Sequence, residues 1–66
     1  MKIKYDTDVD VLYIALAEVS VADSEQIRPG VIVHYDAEDN LVGVEVLHVK
    51  KRKLPIDLAR IDVDVA

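Results

Sequence analysis

The sequence predicts an α+β domain that is mainly β: an antiparallel meander of about four strands, followed by a short C-terminal helix and a terminal edge strand. Twelve Val and six Ile favour strands, and the chain has no Phe or Trp. Two stretches, residues 4–14 and 34–44, repeat one pattern, in which a strand-like run ends in Tyr-Asp, passes through an acidic turn and resumes. At 66 residues the chain is expected to form a single domain, residues 1–66.

The first half of the chain predicts one edge strand and one buried strand. Residues 2–5 alternate lysine with apolar side chains, which is typical of an edge strand with one charged face. Residues 11–16 are apolar at both parities, which indicates a strand covered on both faces. The polar and acidic residues 17–26 leave room for a short irregular strand that ends at Ile27.

A hairpin is the best-marked element of the second half. Pro29-Gly30 predicts a turn, and the two arms that follow are residues 31–35 and 41–49. Within the acidic loop between the arms, Asn40 is expected to adopt the left-handed conformation. Gly43 lies inside the second arm and marks either a bulge or a close approach by another group, for which the rings of Tyr13 and Tyr35 are candidates.

The C-terminal region has a different pattern. Leu54, Leu58 and Ile61 follow a helical spacing, and Pro55 suits a first helical turn, so a short helix is expected at residues 55–60. Residues 61–65 alternate strictly between aliphatic and acidic side chains. They could extend that helix or form a strand. An edge strand is the better prediction because Val and Asp are poor helix formers.

Charge and size define the expected surroundings and partners. The net charge is −5, with −7 on residues 1–49 and +2 on residues 50–66, which argues against a nucleic-acid binder and favours a basic protein partner. No Cys residue is present to stabilise so small a core, so we expect a homodimer. The first residues lack a signal-peptide pattern and no apolar run could span a membrane, which predicts a cytoplasmic protein without membrane contact.

The acidic turns resemble metal-binding loops in spacing alone. Asp6, Asp8 and Asp10 recur at every second position, but a calcium-binding EF-hand loop requires Gly and Glu where this chain has Val11 and Ala17. Turn formation is therefore the preferred interpretation of both acidic turns, and no metal site or cofactor is predicted. Weak divalent-ion binding, or a carboxylate-based enzyme assembled across a homodimer, is the alternative.

No catalytic residue is predicted. The two histidines, His34 and His48, are expected to lie roughly 20 Å apart along a hairpin that closes about Glu38 and sets His34 opposite Val42. No hydroxyl or thiol nucleophile has a histidine nearby in sequence. A protein-interaction module is therefore expected, and its candidate surface comprises the acidic turns and the single basic run: Asp6, Asp8, Asp10, Asp36, Glu38, Asp39, Lys50, Lys51, Arg52 and Lys53.

Three motifs in order carry a resemblance to a known family. They are Tyr5-Asp6 with Asp10-Val11-Leu12-Tyr13-Ile14, then Pro29-Gly30-Val31-Ile32-Val33 with Tyr35-Asp36, then Leu41-Val42-Gly43-Val44-Glu45-Val46-Leu47. Over residues 3–49 the chain resembles the small prokaryotic family catalogued as domain of unknown function 2283. The family pattern tends to show Gly where this chain has Asp39-Asn40. The resemblance implies a short cytoplasmic protein without an established activity, and some members look like the antitoxin half of toxin–antitoxin pairs.

Overall fold

The fold is one open antiparallel sheet of five strands. The computed structural model describes residues 1–54, and in this range the sheet has the strand order β1-β2-β5-β4-β3. Every neighbouring pair is antiparallel. The strands are β1 Lys2–Asp6, β2 Val11–Ala15, β3 Asp23–Arg28, β4 Val31–Tyr35 and β5 Leu41–Leu47.

The predicted mainly β, antiparallel architecture is confirmed, but the sheet is not a simple meander. β2 pairs with β5 instead of β3 because residues 16–22 carry the chain across one end of the sheet. Backbone bonds hold this crossing segment, from Leu16 N to Val42 O at 2.8 Å and from Ala22 N to Tyr35 O at 2.8 Å. The arrangement gives β2, which is apolar on both faces, a position between two other strands.

The sheet has five strands where about four were predicted, because β3 forms a full edge strand. Its residues are polar except for Ile27, and all six are exposed, so the sequence indicated only a short irregular strand ending at Ile27, one residue before the observed end of β3. A register shift between Gln26 and Arg28 marks a bulge near its end. A second correction concerns the β4–β5 loop, where Asp39 and not Asn40 adopts the left-handed conformation, with φ of 64°. Asp and Asn both tolerate this region.

A 3₁₀ turn at Val49–Arg52 follows β5 and is the only helical element among residues 1–54. It begins after His48 and is followed by Lys53, both of which adopt left-handed backbone conformations. The short helix predicted at residues 55–60 and the edge strand predicted at residues 61–65 lie outside the described residues. Within the described range, the 3₁₀ turn is an element that the sequence did not predict.

The two faces of the sheet differ in character. Cross-strand partners share a face, and the register places apolar side chains together across β1, β2, β5 and β4. This apolar face comprises Ile3, Tyr5, Leu12, Ile14, Val31, Val33, Val44 and Val46. Leu12 is 5% exposed and Val33 is 7% exposed, so the centre of this face is the core. The opposite, polar face carries Lys4, Tyr13, Ser24, His34 and Glu45.

Gly43 lies on the polar face beneath the ring of Tyr13, as the sequence suggested. A β-carbon built on Gly43 would lie 2.6 Å from the Tyr13 hydroxyl oxygen and 3.1 Å from Cζ of the same ring. Both distances are too short for ordinary contact, so any side chain at this position must displace the ring. Glycine is therefore required by close approach at a position where the strand conformation itself would accept alanine.

We predict that Gly43→Ala lowers the free energy of unfolding by about 1–3 kcal/mol, the usual range for overpacking a well-filled site. In a Tyr13→Phe background the same substitution should cost less, because the nearest clashing atom is absent. Chemical denaturation of the wild type, both single variants and the double variant measures this difference. Equal costs of Gly43→Ala in the two backgrounds would show that Tyr13 is not the limiting contact.

Candidate functional site

The two acidic turns lie at opposite ends of the sheet. Val11 pairs with Leu47 and Ala15 pairs with Gly43, so the β1–β2 turn lies beside the end of β5 and the β4–β5 turn lies beside its start. Five strand residues separate these ends, a distance of roughly 17 Å. The ten residues of the predicted interaction surface are therefore divided between two separate surfaces.

One end, here called the mixed-charge end, combines the turn at residues 6–10 with the basic run. The Asp10 carboxylate accepts hydrogen bonds from the Tyr5 hydroxyl at 2.5 Å and from the Lys50 backbone N–H at 3.1 Å. Val49 N also donates to Asp10 O at 3.3 Å. Asp6 accepts from Asp8 N at 2.9 Å within the turn. Hydrogen bonds to Asp10 therefore link the 3₁₀ turn to the β1–β2 hairpin, and the bond to Asp6 stabilises the turn of that hairpin.

Hydrogen bonding shifts the pKa of both members of this pair. The bond from Tyr5 is the main cause that lowers the pKa of the Asp10 carboxyl below 3.8, and the bonds and charges of Lys50 add to it. The bond to Asp10 likewise raises the pKa of Tyr5 from 10.0 to about 12. Because the folded pKa of Asp10 is depressed, its stabilising contribution is present above about pH 4 and is lost as the pH falls further.

We predict that Asp10→Asn lowers the pKa of the Tyr5 hydroxyl from about 12 toward 10.0, because a neutral amide no longer favours the protonated hydroxyl. The ultraviolet absorbance of tyrosinate during an alkaline titration measures the ionisation of this hydroxyl. Asp8→Asn is the matched control, because it removes a carboxylate of the same turn without removing the bond to Tyr5. An unchanged titration in Asp10→Asn would contradict the assigned bond.

Among the four side chains of the basic run, that of Arg52 makes hydrogen bonds that stabilise the fold. Arg52 donates from Nε to Leu47 O at 2.7 Å and from Nη2 to Pro29 O, which ties the 3₁₀ turn to the β3–β4 turn. Its guanidinium occupies the space that a β-carbon at Gly30 would require, and Gly30 also has a φ of 75°. Lys50, Lys51 and Lys53 have exposed side chains beside the three aspartates of the same end. Opposite charges therefore share this surface.

The opposite end, here called the acidic end, gathers carboxylates from three segments. They are Glu18, Asp23, Asp36, Glu38 and Asp39, and the cation recorded in contact with them among residues 1–54 is Lys2, which pairs with Glu18 at 3.4 Å. Asp23 joins the group because it begins β3 opposite Tyr35. The acidic end thus carries a concentration of negative charge that the mixed-charge end lacks.

Asp36 organises the loop at this end. Its carboxylate accepts from Glu38 N at 2.8 Å, from Asn40 N at 2.9 Å and from Asn40 Nδ2 at 3.1 Å. The bonds from Asn40 are the main cause that lowers the pKa of Asp36, so this group stays ionised at neutral pH. The side chains of Glu38 and Asp39 make no such bond to the loop. Asp36 therefore shapes the turn while its neighbours present charge to solvent.

Exposed apolar side chains accompany the acidic end. Leu16, Val19, Val21 and Leu41 are 41%, 51%, 47% and 46% exposed. The crossing segment brings them to this end: Leu16 N bonds to Val42 O, next to Leu41 in the chain, and Ala22, after Val21, bonds to Tyr35. Exposed apolar residues with a polar rim are typical of protein interaction sites. Sequence reasoning missed this group because the segment has no regular periodicity.

The polar face carries a chain of hydrogen bonds that sequence spacing did not reveal. Ser24 Oγ lies 2.6 Å from His34 Nδ1, and His34 Nε2 lies 3.2 Å from Glu45 Oε1. The Tyr13 ring lies beside His34, with centroids 5.7 Å apart. His34 pairs with Gly43 and not with Val42, because a register shift follows it. A hairpin closed about Pro29 would have predicted the pairing of Ser24 with His34.

Ser24, His34 and Glu45 bring a hydroxyl, an imidazole and a carboxylate together on three neighbouring strands. The backbone N–H of Ser24 donates to Asp23 Oδ1 at 2.9 Å. The chain of bonds joins β3, β4 and β5 across the polar face. Its chemical effect is to hold the edge strand β3 against the sheet.

Residues 1–54 contain no group of three or more His, Asp or Glu side chains placed to hold a metal ion. No helix in the described part of the chain is long and apolar enough to cross a membrane. The predicted homodimer, basic partner and cytoplasmic location stay predictions.

Comparison with known proteins identifies a family. The family model described as "Protein of unknown function (DUF2283)" matches residues 2–50, which cover all five strands and the start of the 3₁₀ turn. No curated protein matches the chain, and no solved structure matches it. The acidic end lies within the matched residues, whereas Lys51, Arg52 and Lys53 of the mixed-charge end lie beyond them.

Proposed function

The chain belongs to the DUF2283 family, and on that premise we propose that it is a protein-interaction module whose acidic end binds a basic partner protein. The role requires no catalytic group and no cofactor. An antitoxin-like subunit, in which the acidic end covers a basic surface of a toxin, is the specific form that the family resemblance suggests. Neutralising a basic partner would suit a domain with a net charge of −5.

The observation that carries this proposal is the combination of charge and apolar exposure at the acidic end. Five carboxylates and four exposed aliphatic side chains lie together in segments 16–23 and 36–41. Protein interfaces commonly place apolar contacts at the centre and charges around them. The carboxylates would steer a basic partner toward this end, and the aliphatic side chains would supply the area buried on binding.

The mixed-charge end is the less suitable surface. Exposed lysines and aspartates both occur there, and both Asp10 and Arg52 are engaged in holding the 3₁₀ turn to the sheet. A basic partner approaching this end would meet three exposed lysines. We therefore assign the interaction surface to Glu18, Asp23, Asp36, Glu38 and Asp39, and leave the turn at residues 6–10 a structural role.

Charge reversal at each end tests this assignment. Glu38→Lys and Asp8→Lys change the net charge by the same amount, and each alters an exposed turn carboxylate. In affinity capture from host lysate, Glu38→Lys should weaken recovery of the partner about tenfold, since reversal replaces attraction with repulsion at the interface. Asp8→Lys should leave recovery within about twofold.

Two outcomes would contradict the proposal. One is the absence of any stoichiometric partner across a range of salt concentrations. The other is a partner whose recovery falls equally with Glu38→Lys and Asp8→Lys, because net charge and not the acidic end would then decide binding. Circular dichroism of both variants confirms that each remains folded before the comparison is made.

A further inference from the structure

β3 presents an open backbone edge beside the acidic end. It is the last strand in the sheet order, all six of its residues are exposed, and no strand pairs with its outer side among residues 1–54. β3 also begins at Asp23, within the acidic end, and directly follows the exposed segment that contains Val21. Open edges of this kind can accept a strand from another chain.

The register identifies which backbone groups face outward. Leu47 N donates to Gly30 O, so alternate residues of β4, Ile32 and His34, direct their backbone groups toward β5. Val33 therefore faces β3, where Glu25 is its partner. By the same alternation, Ser24 and Gln26 direct their backbone groups away from the sheet. The backbone N–H of Ser24 is consistent with this outward orientation, because its hydrogen-bond acceptor is the side-chain carboxylate of the neighbouring Asp23.

Side chains at this edge favour a basic partner over a second copy of the chain. Asp23 and Glu25 alternate along β3 and share one face, so an added strand with basic residues at every second position would place them opposite both carboxylates. Two copies of β3 paired antiparallel about Glu25 would instead set Glu25 against Glu25. The other edge, β1, carries Lys2 and Lys4 and would repel a basic strand.

We propose that the basic partner binds by adding an antiparallel strand to the outer edge of β3, with alternate lysine or arginine residues opposite Asp23 and Glu25. This inference rests on the proposed function and specifies how the partner would be held. In such a pairing, residues opposite Glu25 occupy the non-hydrogen-bonded positions, where side chains lie closest. Residues opposite Ser24 and Gln26 supply the backbone hydrogen bonds.

A synthetic peptide with alternating Lys and Val residues tests the geometry without knowledge of the natural partner. N-methylation of the Val amides removes the donors that face β3, whereas methylation of the Lys amides alters groups that face solvent. By fluorescence anisotropy, Val methylation should weaken binding at least tenfold and Lys methylation less than threefold. Equal effects of the two methylations, or no binding of the unmethylated peptide, would overturn the proposed strand addition.

Protein variants give an independent measurement. Ser24→Pro removes one outward N–H together with the side-chain bond from Ser24 to His34, and Ser24→Ala is its control because it loses the same side-chain bond but retains the amide. We expect Ser24→Pro to weaken peptide binding about tenfold relative to Ser24→Ala. Glu25→Lys should weaken it similarly, and Asp8→Lys, with the same change in net charge, should not. The methylation series uses wild-type protein, so the proposal remains testable if Ser24→Pro does not fold.

Other outcomes separate this inference from the proposed function. If peptide binding is lost with Glu38→Lys but is unchanged by either methylation, strand addition is overturned. The acidic end would still be the interaction surface. A concentration-dependent dimer that Ser24→Pro disrupts would assign the edge to a second copy and overturn the proposal. Failure of partner capture to respond to Glu38→Lys would contradict the proposed function itself.

Discussion

Replacing Leu12 with alanine is expected to lower the free energy of unfolding by about 2–5 kcal/mol, the range measured for leucine truncations in protein cores. Leu12 is 5% exposed and lies on the apolar face between Tyr5 of β1 and Val46 of β5. A chain of this size has a total stability of only several kcal/mol. The substitution should therefore leave a large fraction of the protein unfolded, which denaturant titration followed by circular dichroism would measure.

Leu41→Ala is the matched control for this prediction. The chemical change is the same, and the residue also lies in the sheet, but its side chain is 46% exposed. Its removal should change the free energy of unfolding by less than about 1 kcal/mol, because little buried area is lost. Equal effects of the two truncations would contradict the assignment of the core to the apolar face.

Arg52→Ala is expected to lower the free energy of unfolding by about 2 kcal/mol. The guanidinium donates to Leu47 O and to Pro29 O, and hydrogen bonds from charged groups contribute about 1.5–3 kcal/mol each in favourable cases. Without them the 3₁₀ turn is no longer tied to the β3–β4 turn. Thermal and chemical denaturation measure the loss.

Two further variants isolate the cause. Lys51→Ala removes a neighbouring exposed cation and should leave stability nearly unchanged. Arg52→Lys keeps the charge but cannot present two donors in the fixed geometry of a guanidinium, so it should recover only part of the loss. Full recovery by lysine would show that charge near the mixed-charge end, and not the paired hydrogen bonds, is what stabilises the turn.

Local patterns in the sequence predicted the strands of both hairpins well. The alternation at residues 2–5, the apolar run at 11–16 and the turn at Pro29-Gly30 all correspond to observed elements. The close approach to Gly43 was also predicted, with Tyr13 as one of two candidates. These features depend on side-chain alternation and turn chemistry, which act over a few residues and can be read directly from the sequence.

Strand order and the grouping of surface residues could not be predicted in the same way. The pairing of β2 with β5 depends on where the irregular segment 16–22 crosses the sheet, and that segment has no periodicity. The two acidic turns look alike in sequence, yet the strand order places them at opposite ends. The hydrogen bonds that link Ser24, His34 and Glu45 depend on register, which a bulge in either hairpin shifts by one residue.

We have proposed that a basic partner binds at the acidic end. Backbone amide chemical-shift mapping of the isotope-labelled protein, titrated with the alternating Lys-Val peptide, tests this proposal most directly. The largest shifts are expected in residues 16–26 and 36–41, with little change in the turn at residues 6–10 or in the basic run. Shifts concentrated at residues 6–10, or spread evenly over every acidic residue, would contradict it.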